Sequence, residues 1–321
     1  MQVIENPSID FWQAVARACP YATFFHTPLW AQLICQTFAY QNLSRAFVCD
    51  DGTRVVLPLV GHKRAFGKVL SGCRSMAPGV YGGFIADGPL TPELITAIED
   101  SLLSGPLADL TLIGNPLQPY MLSEKFNRRE LVTHVLRLEP GYATLEANFK
   151  PKARRRVKGG LKKGVQISRA ATWEEYQDYY RTYEASQERW GERLIHSYPL
   201  QFFRAIFELG QGCDAIQLWI ARVDGCIIGG TLCLYWNRHA VEWHAAFLRE
   251  FGSYSPNNVI KAALIKDACE RGFAVYDFNP SAGQEGVEQF KESFGAKRVT
   301  IPVWRWKNPR PAIWLLKRLP D

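Results

Sequence analysis

Glu242 and His244 stand two residues apart in an apolar segment, a spacing that puts both side chains on one face of a β-strand. An amine that attacks a carbonyl carbon must lose a proton, and a carboxylate or an imidazole can accept it. Lys291 supplies an ammonium that can stabilise a developing oxyanion or hold a phosphate. Arg189 supplies a guanidinium that can grip a carboxylate or phosphate through two parallel bonds. Asp277 and Asn279 close a short strand-like segment, and α/β sheets tend to bind ligands at the carboxyl ends of their strands. The eight cysteines are scattered, with no CxxC pair and no close Cys/His spacing. They read as buried thiols of a reducing cytoplasm, and no metal site is expected.

Charge is concentrated in one place. Residues 150–163 carry Lys150, Lys152, Arg154, Arg155, Arg156, Lys158, Lys162 and Lys163 and no acid. Without those eight, the 38 basic residues fall to 30 against 31 acidic ones, so the net charge of +7 belongs to this segment. A generally basic nucleic-acid coat is thereby excluded. Arg154, Arg155, Arg156 and Lys158 are candidate contacts to phosphates of a nucleotide-linked precursor, a coenzyme or tRNA. The segment holds no aromatic residue, which argues against a stacking platform for single strands. Near the end, Trp304, Trp306 and Trp314 interleave with Arg305, Lys307, Arg310, Lys317 and Arg318. Such a stretch over 304–318 can lie on an anionic membrane surface, and it also fits a last strand followed by a docked helix. Residues 1–13 have no apolar stretch of signal-peptide length, and no run of about 18 apolar residues occurs. A cytoplasmic protein is expected, with the inner face of the membrane as the alternative place.

Several elements must position these residues. The spacing predicts helices over about 173–190 and 199–209, then strands over 215–223, 226–236 and 239–247, joined at Asp224-Gly225 and Asn237-Arg238. Ser255-Pro256 opens a helix, serine as N-cap and proline at the first position. A strand at 275–278, a helix over about 284–294 and a strand at 298–306 follow. The first half gives a weaker version of this order, with Gly52 answering Gly225 and Thr91-Pro92 answering Ser255-Pro256. This reads as a duplicated α/β fold with mixed sheets, parted at the turn Glu139-Pro140-Gly141 into 1–140 and 141–321.

The motifs Tyr183 to Gly191, Tyr254-Ser255-Pro256, Tyr276-Asp277-Phe278 and Phe290-Lys291 to Ala296, with Pro28-Leu29-Trp30 in the first half, are similar to those of the FemAB-like branch of the GNAT acyltransferases. That branch includes the peptidyltransferases that build peptidoglycan cross-bridges. The resemblance implies two tandem GNAT-like domains, the second carrying donor site and chemistry, the first an acceptor or structural role. It implies an acyl-CoA or aminoacyl-tRNA donor held at Arg249, Gly252, Ser253, Tyr254 and Ser255, since backbone N–H groups at a helix N-terminus form an anion site. Tyr254 stands where the acyl-CoA pattern has a small residue, which favours tRNA. The resemblance further implies Glu242 or His244 as proton acceptor, Lys291 at the reaction centre, and Tyr183, Arg189 and Phe290 beside the acceptor. A binding module that lost its reaction, and an RNA-binding protein using the basic helix, are the alternatives.

Overall fold

The computed structural model describes residues 1–63, 71–76, 81–105, 107–191, 197–281 and 283–309. The chain forms two compact units, Met1–Leu131 with Thr300–Asp321, and Val132–Val299. The turn at Glu139-Pro140-Gly141 therefore lies inside the second unit. The expected boundary follows the turn signal, whereas the compact units divide within longer strands that serve both.

The first unit contains β1 (Gln2–Glu5), α1 (Ile9–Ala18), α2 (Pro28–Thr37), β2 (Gln41–Asn42), β3 (Arg45–Val48), β4 (Arg54–Leu57), β5 (Val60–Lys63), β6 (Ser71–Arg74), β7 (Ile85–Ala86), α3 (Pro92–Leu103) and β8 (Leu107–Ile113). Strand β9 (Asn127–Arg137) enters the second unit. There follow α4 (Tyr142–Asn148), α5 (Pro151–Lys162), β10 (Gln166–Arg169), α6 (Trp173–Trp190), α7 (Leu200–Gly210), β11 (Ile216–Val223), β12 (Cys226–Trp236), β13 (His239–Phe247), α8 (Pro256–Glu270), β14 (Val275–Asp277) and α9 (Glu285–Glu292). Strand β15 (Lys297–Lys307) returns to the first unit, where it pairs with β8. Trp304 of β15 is buried there and stacks on Tyr120, so its indole is core and not a membrane contact. Arg310, Trp314, Lys317 and Arg318 lie outside the described residues. No helix among the described residues is long and apolar enough to cross a membrane.

In the second unit the strands run in the order β10-β11-β12-β13-β14-β9. The meander β10 to β13 is antiparallel, and β14 adds to β13 in parallel. Asp224 and Gly225 both take positive φ, as a two-residue hairpin turn between right-twisted strands requires. Helix α6 starts from a capping box, in which Thr172 and Glu175 each satisfy the other's free backbone N–H. Ser255 departs from expectation. It adopts a left-handed backbone, φ 53 and ψ 45, and its side chain makes no cap bond.

Helix α8 buries most of its length, Val259, Ile260, Leu264 and Ile265 among the residues covered, and packs against β11 and β12. Helix α5 lies on α8 through Ala153, Val157 and Gly160. A Cβ at Gly160 would stand 2.5 Å from the Tyr254 carbonyl oxygen and 2.6 Å from Val259 Cγ2, so this close approach needs glycine. At Gly159 an added Cβ would meet nothing within 4 Å. Gly160→Val should therefore cost about 2 kcal/mol through overpacking. Gly159→Ala should gain roughly 0.5–1 kcal/mol of helix propensity. Denaturant midpoints of the two variants check this; equal shifts of one sign would refute the packing.

Candidate functional site

The ladder between β13 and β14 ends at Val241 opposite Asp277, and β13 then runs on alone from Glu242 to Phe247. Glu242 is the first residue past that fork. On its other side β13 pairs with β12, and the register shifts there: Glu242 faces Cys233, whereas His244 faces Leu232. Trp243 is the extra residue of a β-bulge. Neighbouring residues of β12 point to opposite sheet faces, so the bulge puts Glu242 and His244 on opposite faces. The expectation of a shared face is corrected by that single inserted residue.

On the α8 face, charge is buried. Glu242 lies 2.8 Å from Lys261 Nζ, and the Lys261 ammonium also donates to Thr231 Oγ1 at 3.0 Å. The Tyr276 hydroxyl donates to Glu242 Oε2 at 2.9 Å. Lys291, only 4% exposed, enters the same region from α9 and donates to the carbonyl of Asn279. Burial pushes Lys291 down from the ordinary 10.5 to about 8, against the upward pull of the Glu242 and Asp277 carboxylates; the Lys261 ammonium adds to the fall. Asn279 takes a left-handed backbone, φ 59, which asparagine tolerates better than most residues. That conformation follows directly on β14.

Asp277 holds the turn from the other face. Its buried carboxylate accepts from Thr133 Oγ1 at 2.8 Å and from the Asn279 N–H at 2.8 Å, and His239 Nε2 lies 3.0 Å away. Asp277 is thus a clamp that fixes where the Asn279 carbonyl points. Phe290 precedes Lys291 and packs on Phe294, anchoring α9 so that the lysine turns inward.

The α6 and α7 face is aromatic. His244 is enclosed by Tyr179, Tyr183, Tyr198, Phe203 and Trp243, and Nδ1 lies 2.7 Å from the Tyr179 hydroxyl. Burial pushes its pKa down to about 3, so the ring is neutral at physiological pH. Tyr183 is core, its hydroxyl accepting from the Tyr198 N–H at 3.1 Å. Arg189 donates to the Phe247 carbonyl at 3.3 Å, at the far end of β13, with its guanidinium over the Phe247 ring.

Beyond β13, Arg249–Tyr254 form a 3₁₀ turn that leads through Ser255 into α8. Arg249, Gly252 and Ser253 are exposed, and a Cβ at Gly252 would meet nothing within 4 Å. Lys163, at the end of α5, donates to the Ser253 carbonyl at 2.8 Å and lies over the Tyr254 ring. The ring also packs against Phe251, so Tyr254 is engaged on the α5 flank of the loop. Arg154 bonds the Ala147 carbonyl, while Arg155, Arg156 and Lys158 point to solvent.

Sequence reasoning missed Lys261, Thr231, Thr133 and His239, and did not assign Tyr276 a role in the site. Lys261 was findable: it is a lone cation inside the apolar run Val259–Ile265, and a buried charge requires a partner. Thr231, Thr133 and His239 carry no sequence signal. Among the described residues no group of three His, Cys, Asp or Glu side chains is placed to hold a metal.

Residues 147–292 match the family model described as an acetyltransferase (GNAT) domain. The whole chain is similar in fold to FemX, at 14% identity and a TM-score of 0.74, covering 99% of this chain and 100% of that one. It is also similar to L-PGS from Bacillus licheniformis (10% identity, TM-score 0.55, 99% and 97% covered). A tandem GNAT protein from the clavulanic acid biosynthesis pathway gives 12% identity and a TM-score of 0.54, with 96% and 98% covered. A comparison with curated protein sequences finds no match.

Burying Lys291 as an ammonium costs about 3 kcal/mol at neutral pH. Its folded pKa of about 8 lies below the ordinary 10.5, so between those values the unfolded chain binds more protons and stability rises with pH. Lys291→Met removes the titrating group. Across pH 8 to 10 the stability of the wild type should therefore climb relative to that of the variant, read from urea midpoints. Parallel curves would show that the ammonium is not buried.

Proposed function

We propose that this chain, which shares the fold of FemX and whose residues 147–292 match the acetyltransferase (GNAT) domain model, is an N-acyltransferase that moves an acyl group from a phosphate-bearing carrier to an amine. The observation that carries this reading is the buried Lys291 ammonium at the fork between β13 and β14, on the same sheet face as Glu242. The amine nitrogen attacks the acyl carbonyl carbon and its oxygen gains negative charge. Lys291, fixed by the Asn279 carbonyl, stabilises that oxygen in a site from which most water is excluded. The Glu242 carboxylate accepts the amine proton. His244 has no part in this step, because it is on the other face. The carrier's bond to the acyl group breaks, and the proton leaves with it.

Acyl-CoA is the donor this reading takes first, since GNAT domains generally use it. Its phosphates would lie against Arg249 and the open backbone at Gly252 and Ser253, near Lys163. A specific observation supports the second donor, aminoacyl-tRNA: Tyr254 occupies the small-residue position, and the exposed Lys163 at the end of α5 lies against the loop. The sequence resemblance to the peptidyltransferases that build peptidoglycan cross-bridges favours an acceptor from the cell envelope, and the fold shared with FemX and L-PGS is compatible with it.

Transfer to a panel of amines from acetyl-CoA and from charged tRNA tests the proposal and separates the donors. Lys291→Met should lower kcat by about 10² to 10³-fold. The wild-type rate should fall as pH rises through about 8, where Lys291 loses its proton, and Lys291→Arg should move that limb upward. Undiminished transfer by Lys291→Met would defeat the mechanism, and no transfer by the wild type from either donor would favour a non-catalytic module.

A further inference from the structure

The basic segment forms α5, and its two faces have different partners. Ala153, Val157 and Gly160 look inward to α8 and to the Tyr254 carbonyl. Lys158 marks the outward face. One helical turn before it stand Arg154 and Arg155, and one turn after it stand Leu161 and Lys162. Arg155, Lys158 and Lys162 are exposed, and among the described residues none has an ion-pair partner. Leu161, at the edge of this face beside Lys158 and Lys162, is 54% exposed. Gly159 adds no side chain, so the face is low at that point.

We propose that this face of α5 docks on an anionic lipid surface. Charge complementarity carries the proposal: Arg154, Arg155, Lys158 and Lys162 share one side of the helix, and 150–163 holds no acid to neutralise them. A planar array of headgroup phosphates meets such a ridge along its whole length. The exposed leucine decides between partners. An exposed aliphatic side chain beside a row of cations enters the headgroup layer while the lysine and arginine stems lie along it. Nucleic acid would leave Leu161 without a use, and α5 has no aromatic side chain on which a base could stack. The face looks away from Arg249–Tyr254, which α5 touches with its inward side, so docking leaves the proposed donor loop uncovered.

Each basic residue near an anionic surface is worth about five-fold in partitioning, so Arg154, Arg155, Lys158 and Lys162 together give on the order of several hundred-fold. Co-sedimentation of the full chain is measured with vesicles of phosphatidylcholine alone and with vesicles one third phosphatidylglycerol. The wild type should bind the anionic vesicles about a hundred-fold more tightly than the neutral ones, and lose that preference in high salt. The triple variant Arg155→Glu, Lys158→Glu, Lys162→Glu should lose the preference. Leu161→Asp should weaken binding several-fold and keep its salt dependence. None of these side chains is packed, so the thermal melts of the variants should match that of the wild type. Equal sedimentation of the triple variant and the wild type would overturn the proposal. So would a wild type that binds tRNA but not anionic vesicles, which would assign the face to nucleic acid.

Discussion

Two ammonium groups, Lys261 and Lys291, are buried on one face of a sheet beside a single glutamate, Glu242. A buried charge is tolerated only when it is paired and hydrogen-bonded, so every element around this cluster is constrained by it. Lys261 is satisfied by Glu242 and Thr231. Lys291 lacks so close a carboxylate and relies on the Asn279 carbonyl. That carbonyl is presented by a left-handed residue, which Asp277 holds in place together with Thr133 and His239. The unequal satisfaction of the two lysines suits a group that must offer its charge to a reacting oxygen: a fully paired ammonium has little left to give.

The bulge at Trp243 separates two environments along one strand. Before it, Glu242 belongs to the charged face. After it, His244 is half-buried among aromatic rings, with the Tyr179 hydroxyl at Nδ1. One inserted residue thus decides which of two chemically able side chains shares a face with Lys291. The same strand outruns β14, and the loop that follows it leads into α8, the helix that carries Lys261. The Arg249–Tyr254 loop, Glu242 and the buried Lys261 are therefore set by one strand and the helix after it.

Much of this was legible in the residues. The hairpin glycine Gly225, the helix-opening Pro256, and the strand pattern from 215 to 247 were readable because local backbone geometry and periodicity act over a few residues. The Phe290-Lys291 pair was legible through resemblance. A bulge was not, because its signal is the register of two strands, and a period of two predicts a common face for Glu242 and His244. The left-handed backbone at Ser255 was hidden by a residue type that usually caps helices. The compact units were hidden by β9 and β15, each of which serves two units as one uninterrupted strand. Thr133 and His239 could not be assigned to Asp277, since contacts between distant strands leave no local trace.

The central claim is that Lys291 is held in the protein interior as a cation whose proton is loosely bound. A direct titration of the protein's lysine side chains by nitrogen-15 NMR, with Lys291→Met to assign the resonance, measures that property at the atom concerned. The account predicts a Lys291 pKa near 8. A value at the ordinary 10.5 would contradict it, for the ammonium would then be solvated and the fork between β13 and β14 would lack the charge on which the mechanism depends.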